Sequence, residues 1–144
     1  MGLRREGREL AVQALYQLEV TDDPTGRGLE GFWAHFEGSE PAQTFAVSLV
    51  EGVRDERSRI DCLIADAAEH WQVSRLSKVD VSVLRMATGE LLFCDDIPAR
   101  VTIDEAIEIA RRFGGEDSAA FVNGVLDRIA EVLGVKGKGD EPTE

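Results

Sequence analysis

Apolar residues recur along most of this chain at the three- and four-residue spacing of an α-helix. In the segment 3–20, Leu10, Ala14 and Leu18 share one stripe, since each residue turns a helix by about 100°. Similar stripes predict further helices over about 28–38, 41–51, 55–71, 78–95, 102–113 and 118–133. The sequence has no sustained period-two alternation, which a strand would need. The pattern therefore predicts an all-α fold of six or seven helices.

Polar residues and glycines indicate where these helices begin and end. Ser77 with Asp80, and Thr102 with Glu105, have the spacing of a capping box, in which side chains bond to the first free backbone N–H groups. The segment after Ser77 is apolar nearly all round, which predicts a buried central helix. The remaining expected boundary residues are Gly114 and Gly115 at the end of one helix, Asp117 or Ser118 at the start of the last, and Gly134 at its end.

Two features of the sequence are not explained by the packing of a hydrophobic core. The last helix keeps Asn123 and Gly124 within an apolar pattern, although glycine costs about 1 kcal/mol relative to alanine. On the first helix, a wheel projection turns Val12 and Tyr16 away from the core stripe, together with Arg5, Arg8, Glu9 and Gln13. From the pattern alone this side is either ordinary surface or a contact strip for a ligand.

Charge and length restrict the possible partners. The 144 residues carry a net charge of -12, whereas a domain that coats nucleic acid is generally basic. An anionic ligand must therefore use a local arginine group, and the acidic surface suits a basic protein. We expect one all-helical domain over 1–134 and a flexible polar tail over 135–144.

Side chains suited to catalysis do not converge in recognisable motifs. His35 and His70 lie in no metal-binding pattern, and no phosphate-binding glycine loop occurs. The predicted helix start after residue 102 carries three acidic residues, Asp104, Glu105 and Glu108. Their most direct explanation is that negative charge near the N-terminus stabilises a helix. We therefore expect a protein that is not an enzyme and needs no cofactor and no metal. Two cysteines without CxxC spacing and no apolar run of about eighteen residues favour a cytoplasmic protein without a membrane segment.

Several stretches of the sequence form one ordered set of motifs: Arg4–Tyr16 (RREGRELAVQALY), Val83–Leu91 (VLRMATGEL), Ile97–Pro98, Ala106–Glu108, Phe113–Gly114, Glu116–Ser118 and Phe121–Asp127 (FVNGVLD). These stretches resemble the NusB family of transcription antitermination factors. Together they cover both ends and the central helix, whereas 20–75 matches only in helical pattern.

The resemblance implies an all-helical fold of about seven helices in two small sub-bundles. It also implies binding of single-stranded boxA RNA from ribosomal RNA leader transcripts, together with the basic ribosomal protein NusE. In the family this pair joins NusA and NusG on RNA polymerase. Recognition of single strands would use splayed bases and backbone.

The resemblance also assigns roles to individual positions. Arg4, Arg5 and Arg8 match the basic N-terminus that contacts RNA, and Gln13 matches a glutamine on the same side. Phe121, which by pattern is a core residue or a stacking platform, matches an aromatic at the RNA surface. Tyr16, Asp80 and Asp117 match positions that face NusE.

Some positions depart from the family. Glu6 and Glu9 interrupt the arginines, Gly89 replaces an aromatic, and Ala119–Ala120 replaces a stretch that often carries a basic residue. We therefore expect feeble RNA binding without NusE. Two alternatives stay open: a protein-only helical scaffold that binds NusE without RNA contact, and the targeting module of an RNA methyltransferase, for which the chain has little room.

Overall fold

Seven helices make up the part of the chain that the computed structural model describes, which is residues 2–21, 27–36, 38–69, 73 and 76–137. This confirms the predicted all-α class. The helices are α1 (Leu3–Thr21), α2 (Gly28–Ala34), α3 (Glu40–Asp55), α4 (Arg57–Ala67), α5 (Lys78–Phe93), α6 (Ala99–Gly114) and α7 (Glu116–Leu133). None of them is long and apolar enough to cross a membrane.

Helix α5 lies at the centre, as its all-round apolar sequence predicts. The Ser77 hydroxyl oxygen accepts a hydrogen bond from the Asp80 backbone N–H at 3.0 Å and begins the helix. Every residue from 81 to 91 is buried, because α5 packs against α1, α3, α4, α6 and α7. One sub-bundle is built around α1 and α3 and the other around α6 and α7, and both share α5.

Two glycines allow helices to approach closely. A Cβ on Gly7 would lie 2.7 Å from Phe45 Cδ2 and 3.0 Å from the Ala42 carbonyl oxygen, where α1 meets α3. A Cβ on Gly89 would lie 2.8 Å from Val53 Cγ2. Val53 thus occupies the space beside α5 that a side chain at position 89 would need.

Two predicted helix starts are wrong. Helix α6 begins at Ala99 after Pro98 as N-cap, so Thr102 is a buried residue of the helix rather than its cap. Proline suits a helix start because it donates no backbone hydrogen bond. Helix α7 begins at Glu116 after Gly115, and Asp117 lies in its first turn. Gly115 has φ 96°, a conformation that glycine adopts without strain.

Helix α7 ends just before Gly134, as predicted, and Gly134 has a left-handed φ of 71°. The described chain continues to residue 137. Val135 packs against the core, and Lys136 Nζ lies 3.1 Å from Asp127 Oδ1. The rest of the predicted tail, 138–144, lies outside the described residues, as do His70 and Trp71.

Candidate functional site

The three arginines at the start of α1 all pair with carboxylates, but they differ in burial. Arg4 Nη2 lies 2.8 Å from Asp96 Oδ2, and the side chains keep 52% and 70% of their exposure. Both groups stay in contact with solvent, and such a pair contributes at most about 1 kcal/mol. Another anion can therefore replace the carboxylate partner of Arg4 more easily than the partners of Arg5 and Arg8.

Arg5 is held more firmly. It donates to both oxygens of Glu105 on α6, from Nε at 2.7 Å and from Nη2 at 2.5 Å. The hydrogen bond from Arg5 lowers the pKa of the Glu105 carboxyl, although burial opposes the change, and the same bond raises the pKa of Arg5. Because the Arg5 side chain retains 35% of its exposure, it still reaches solvent.

Arg8 is part of the interior, so its predicted outward position is wrong. Its side chain is 3% exposed and donates to both oxygens of Glu90, with the shortest contact at 2.6 Å from Nη2. The Thr102 hydroxyl donates to the same carboxylate at 2.8 Å. A fully buried carboxylate needs such partners. Arg8, Glu90 and Thr102 thus join α1, α5 and α6 through one buried polar cluster.

Val12 is likewise buried, at 4% exposure, against our prediction that it faces outward. Helix α1 packs against α2, α3 and α5, so its buried arc is wider than the apolar stripe suggests. Tyr16 is 42% exposed, as expected. Gln13 is exposed and lines a groove between α1 and α2 with Phe32 and His35.

The ion pairs fix the direction of α1 relative to its neighbours. Arg5 pairs with Glu105 and Glu9 pairs with Arg112 at 2.6 Å, so α1 and α6 run in the same direction. Arg8 pairs with Glu90 and Glu19 with Arg85, so α1 and α5 run in opposite directions. The end of α1 therefore lies beside the middle of α5, and the end of α6 lies near the middle of α1.

Two of the residues predicted to face a protein partner, Asp80 and Asp117, lie near the junction of α6 and α7. Asp80 belongs to the first turn of α5, and its Oδ1 would lie 3.7 Å from a Cβ on Gly114 at the end of α6. Asp117 is exposed in the first turn of α7. Tyr16 lies in the C-terminal half of α1, and the end of α6 carries Phe113, an exposed aromatic that our sequence analysis did not single out.

Phe121 is half-buried against the core. Helix α7 packs on α6 and follows it after Gly115, so Phe121 is level with the middle of α6. That is about one turn from Glu105 along the helix axis. The exposed arginines and Phe121 thus lie on different helices, α1 and α7, which both contact α6.

The sequence profile described as the NusB family matches residues 5–131. The chain belongs to the NusB family. The transcription antitermination protein NusB of Geobacter sulfurreducens is 49% identical over 138 residues, which cover 95% of this chain and 100% of that protein. This NusB-family member is a transcription antitermination factor without catalytic activity, as the resemblance implies.

Solved structures agree with the assignment. T. maritima NusB matches with a TM-score of 0.79 and 45% identity over 89% of this chain and 90% of that one. A structure of the antitermination factors NusB and NusE in complex with double-stranded RNA matches with a TM-score of 0.79, covering 92% of this chain and 98% of that one. At 22% identity it supports the fold alone.

Two charged clusters of this NusB-family chain escaped our sequence analysis. Glu90 is a charged residue on a helix that the sequence predicts to be buried, and this was the available signal for the Arg8 cluster. Arg85, at 5% exposure, donates to Glu19 at 2.6 Å and to Asp61 at 2.9 Å and so joins α1, α4 and α5. Its partners lie 66 and 24 residues away in sequence, so spacing does not predict them.

Proposed function

We propose that this protein binds single-stranded boxA RNA of ribosomal RNA leader transcripts together with NusE. The pair would act in the cytoplasm with NusA and NusG on RNA polymerase. The observation that carries the proposal is the graded availability of the arginines at the start of α1. Arg4 and Arg5 reach solvent, and their partners can be replaced by phosphates. Arginine suits this exchange because it binds phosphate through two parallel hydrogen bonds.

Arg8 has a different role in this proposal. Withdrawing it from Glu90 would leave a fully buried carboxylate with Thr102 as its remaining hydrogen-bond partner. We therefore assign Arg8 to holding α1 against α5 and α6, so that Arg4 and Arg5 are correctly placed for RNA. Its matched position in the family then contributes to RNA binding through structure rather than through a phosphate contact.

Gln13 and Phe121 would extend the RNA contact beyond the arginines. The exposed amide of Gln13 can donate to a base edge or a phosphate. The half-buried ring of Phe121 offers a fixed face on which an unpaired base can stack. Since single-stranded RNA exposes bases and backbone together, a path across several helices suits it.

NusE would bind through Tyr16 on α1, Asp80 on α5 and Asp117 on α7. Asp80 and Asp117 supply acceptors for a basic protein, and Tyr16 supplies an exposed aromatic of the kind found at interface centres. In the part of the chain that the structure describes, Asp80 Oδ1 is buried without a hydrogen-bond partner. A donor from NusE would satisfy this oxygen if the Asp80 side chain turned outward on binding.

The experiment that tests the proposal is a titration of a boxA oligonucleotide with and without NusE, against a scrambled RNA of the same length. We expect feeble binding by the isolated protein, because its net charge is -12, and much tighter, sequence-dependent binding with NusE. Asp117→Asn should weaken NusE binding while leaving the fold intact. Equal RNA affinity with and without NusE would contradict the dependence on the partner.

A protein-only scaffold is the second candidate function, and one observation favours it. Each of the three leading arginines already has a carboxylate partner. Ultraviolet cross-linking of the complete complex separates the two functions. RNA contact predicts cross-links to the start of α1 and to Phe121, whereas a scaffold predicts RNA cross-links to NusE alone.

A further inference from the structure

We infer that Glu105 determines how readily Arg5 takes up a phosphate, and so sets the RNA affinity of this surface. The inference rests on the proposed function and adds a residue to it. In our sequence analysis Glu105 was only a favourable charge near a helix start. In the structure it is a carboxylate that an RNA phosphate would displace when it binds the same edge of the Arg5 guanidinium.

The geometry makes Glu105 a direct competitor of phosphate. Both of its oxygens accept from Arg5, at 2.7 Å and 2.5 Å, along one edge of the guanidinium. A phosphate bound at that edge would use the same two donors. The Glu105 side chain is only 16% exposed and lies on a helix of the core, so it cannot follow Arg5 into solvent.

Arg8 makes the exchange possible. Its Nη1 lies 3.7 Å from Glu105 Oε1, while the same guanidinium stays bonded to Glu90. If Arg5 turns toward RNA, Glu105 keeps a nearby positive charge and is not left unpaired in a half-buried site. The exchange therefore costs less than breaking an isolated buried pair, for which the remaining charge has no partner.

Replacing this carboxylate should release Arg5 for RNA. In Glu105→Gln the neutral amide no longer holds the guanidinium as an ion pair. We expect boxA RNA to bind the complex with NusE roughly fivefold more tightly, which corresponds to removing one competing, partly exposed pair. The slope of log K against log salt should stay close to that of wild type, because Arg5 contacts one phosphate in both complexes and only the competition from Glu105 is removed.

Glu108→Gln is the matched control. Glu108 lies on the same helix one turn later and pairs with Arg111 instead of an arginine of α1. Both substitutions change the net charge by the same amount, so a general electrostatic effect would raise both affinities equally. A gain confined to Glu105→Gln supports the inference, whereas equal gains, or none at Glu105→Gln, would overturn it.

A second variant separates the inference from a folding defect and from failure of the proposed function. Glu105→Asp keeps the charge but shortens the reach to Arg5, so a smaller gain in affinity is expected. Circular dichroism and thermal unfolding check that each variant is folded. If Arg4→Ala and Arg5→Ala bind RNA more weakly than wild type but the Glu105 variants bind it equally well, only the inference fails. If the arginine variants also have no effect, the proposed RNA contact itself fails.

Discussion

At the scale of single residues, the buried cluster of Arg8, Glu90 and Thr102 is the feature with the largest expected energetic consequence. Removing one partner of a buried ion pair costs more than the pair itself contributes, because a charge is then left without compensation. Removing one partner of the exposed Arg4–Asp96 pair should cost little, because the remaining charge stays in contact with solvent. These two pairs lie one turn apart on α1 and allow a direct comparison.

Arg8→Ala should lower the free energy of unfolding by about 3–5 kcal/mol, because it leaves Glu90 charged and buried. Arg4→Ala, the control, should change it by less than about 1 kcal/mol, because both partners are exposed. Urea unfolding at neutral pH measures both values. Similar losses for the two variants would show that the Arg8 pair is not the anchor proposed here.

The Arg5–Glu105 pair should make stability depend on pH on the acid side. The pKa of Glu105 is lowered in the folded protein, so the unfolded chain takes up its proton first as the pH falls. The contribution of the pair to the free energy of unfolding is complete above the ordinary glutamate pKa of about 4.3. It is lost as the pH falls through the lower pKa that Glu105 has in the folded protein. Arg5→Gln should therefore be less stable than wild type at pH 7, and this difference should shrink at pH 3.5 in urea unfolding. A difference that stays constant over this range would argue against the pair.

At the scale of helices, periodicity predicts the elements well and their contacts poorly. All seven helices follow from the spacing of apolar residues, since each buries a stripe. The start of α6 is missed because Thr102 and Glu105 have capping-box spacing but are used for buried and ion-paired contacts instead. The burial of Val12 is missed because the number of neighbours around α1 is a property of the assembled bundle.

Two glycine substitutions should have opposite effects on stability. Gly7→Ala places a Cβ against Phe45 and the Ala42 backbone, and overpacking of this kind costs about 1–3 kcal/mol. Gly124→Ala meets no described atom within 4 Å, so it should stabilise α7 by up to about 1 kcal/mol through helix propensity. Thermal unfolding of both variants checks the signs. A stabilised Gly7→Ala protein would contradict the close approach of α1 and α3.

At the scale of the whole molecule, α1 connects two candidate surfaces. Its first two turns carry the arginines and its C-terminal half carries Tyr16, whereas Asp80 lies beside the junction of α6 and α7. The family resemblance supplied the residues of both surfaces, but sequence alone did not separate Arg4 and Arg5 from Arg8. That distinction depends on Glu90 and Glu105, which lie 82 and 100 residues along the chain from their arginines. Only the folded bundle brings these groups together.

The salt dependence of boxA RNA binding by the complex with NusE tests the central claim most directly. If Arg4 and Arg5 each contact a phosphate, the double variant Arg4→Ala/Arg5→Ala should bind more weakly, and its slope of log K against log salt should be less negative by about 1.4. The double variant should still unfold cooperatively, with only the modest loss of stability that removal of the Arg5–Glu105 pair causes. An unchanged affinity and slope in a folded double variant would contradict the account.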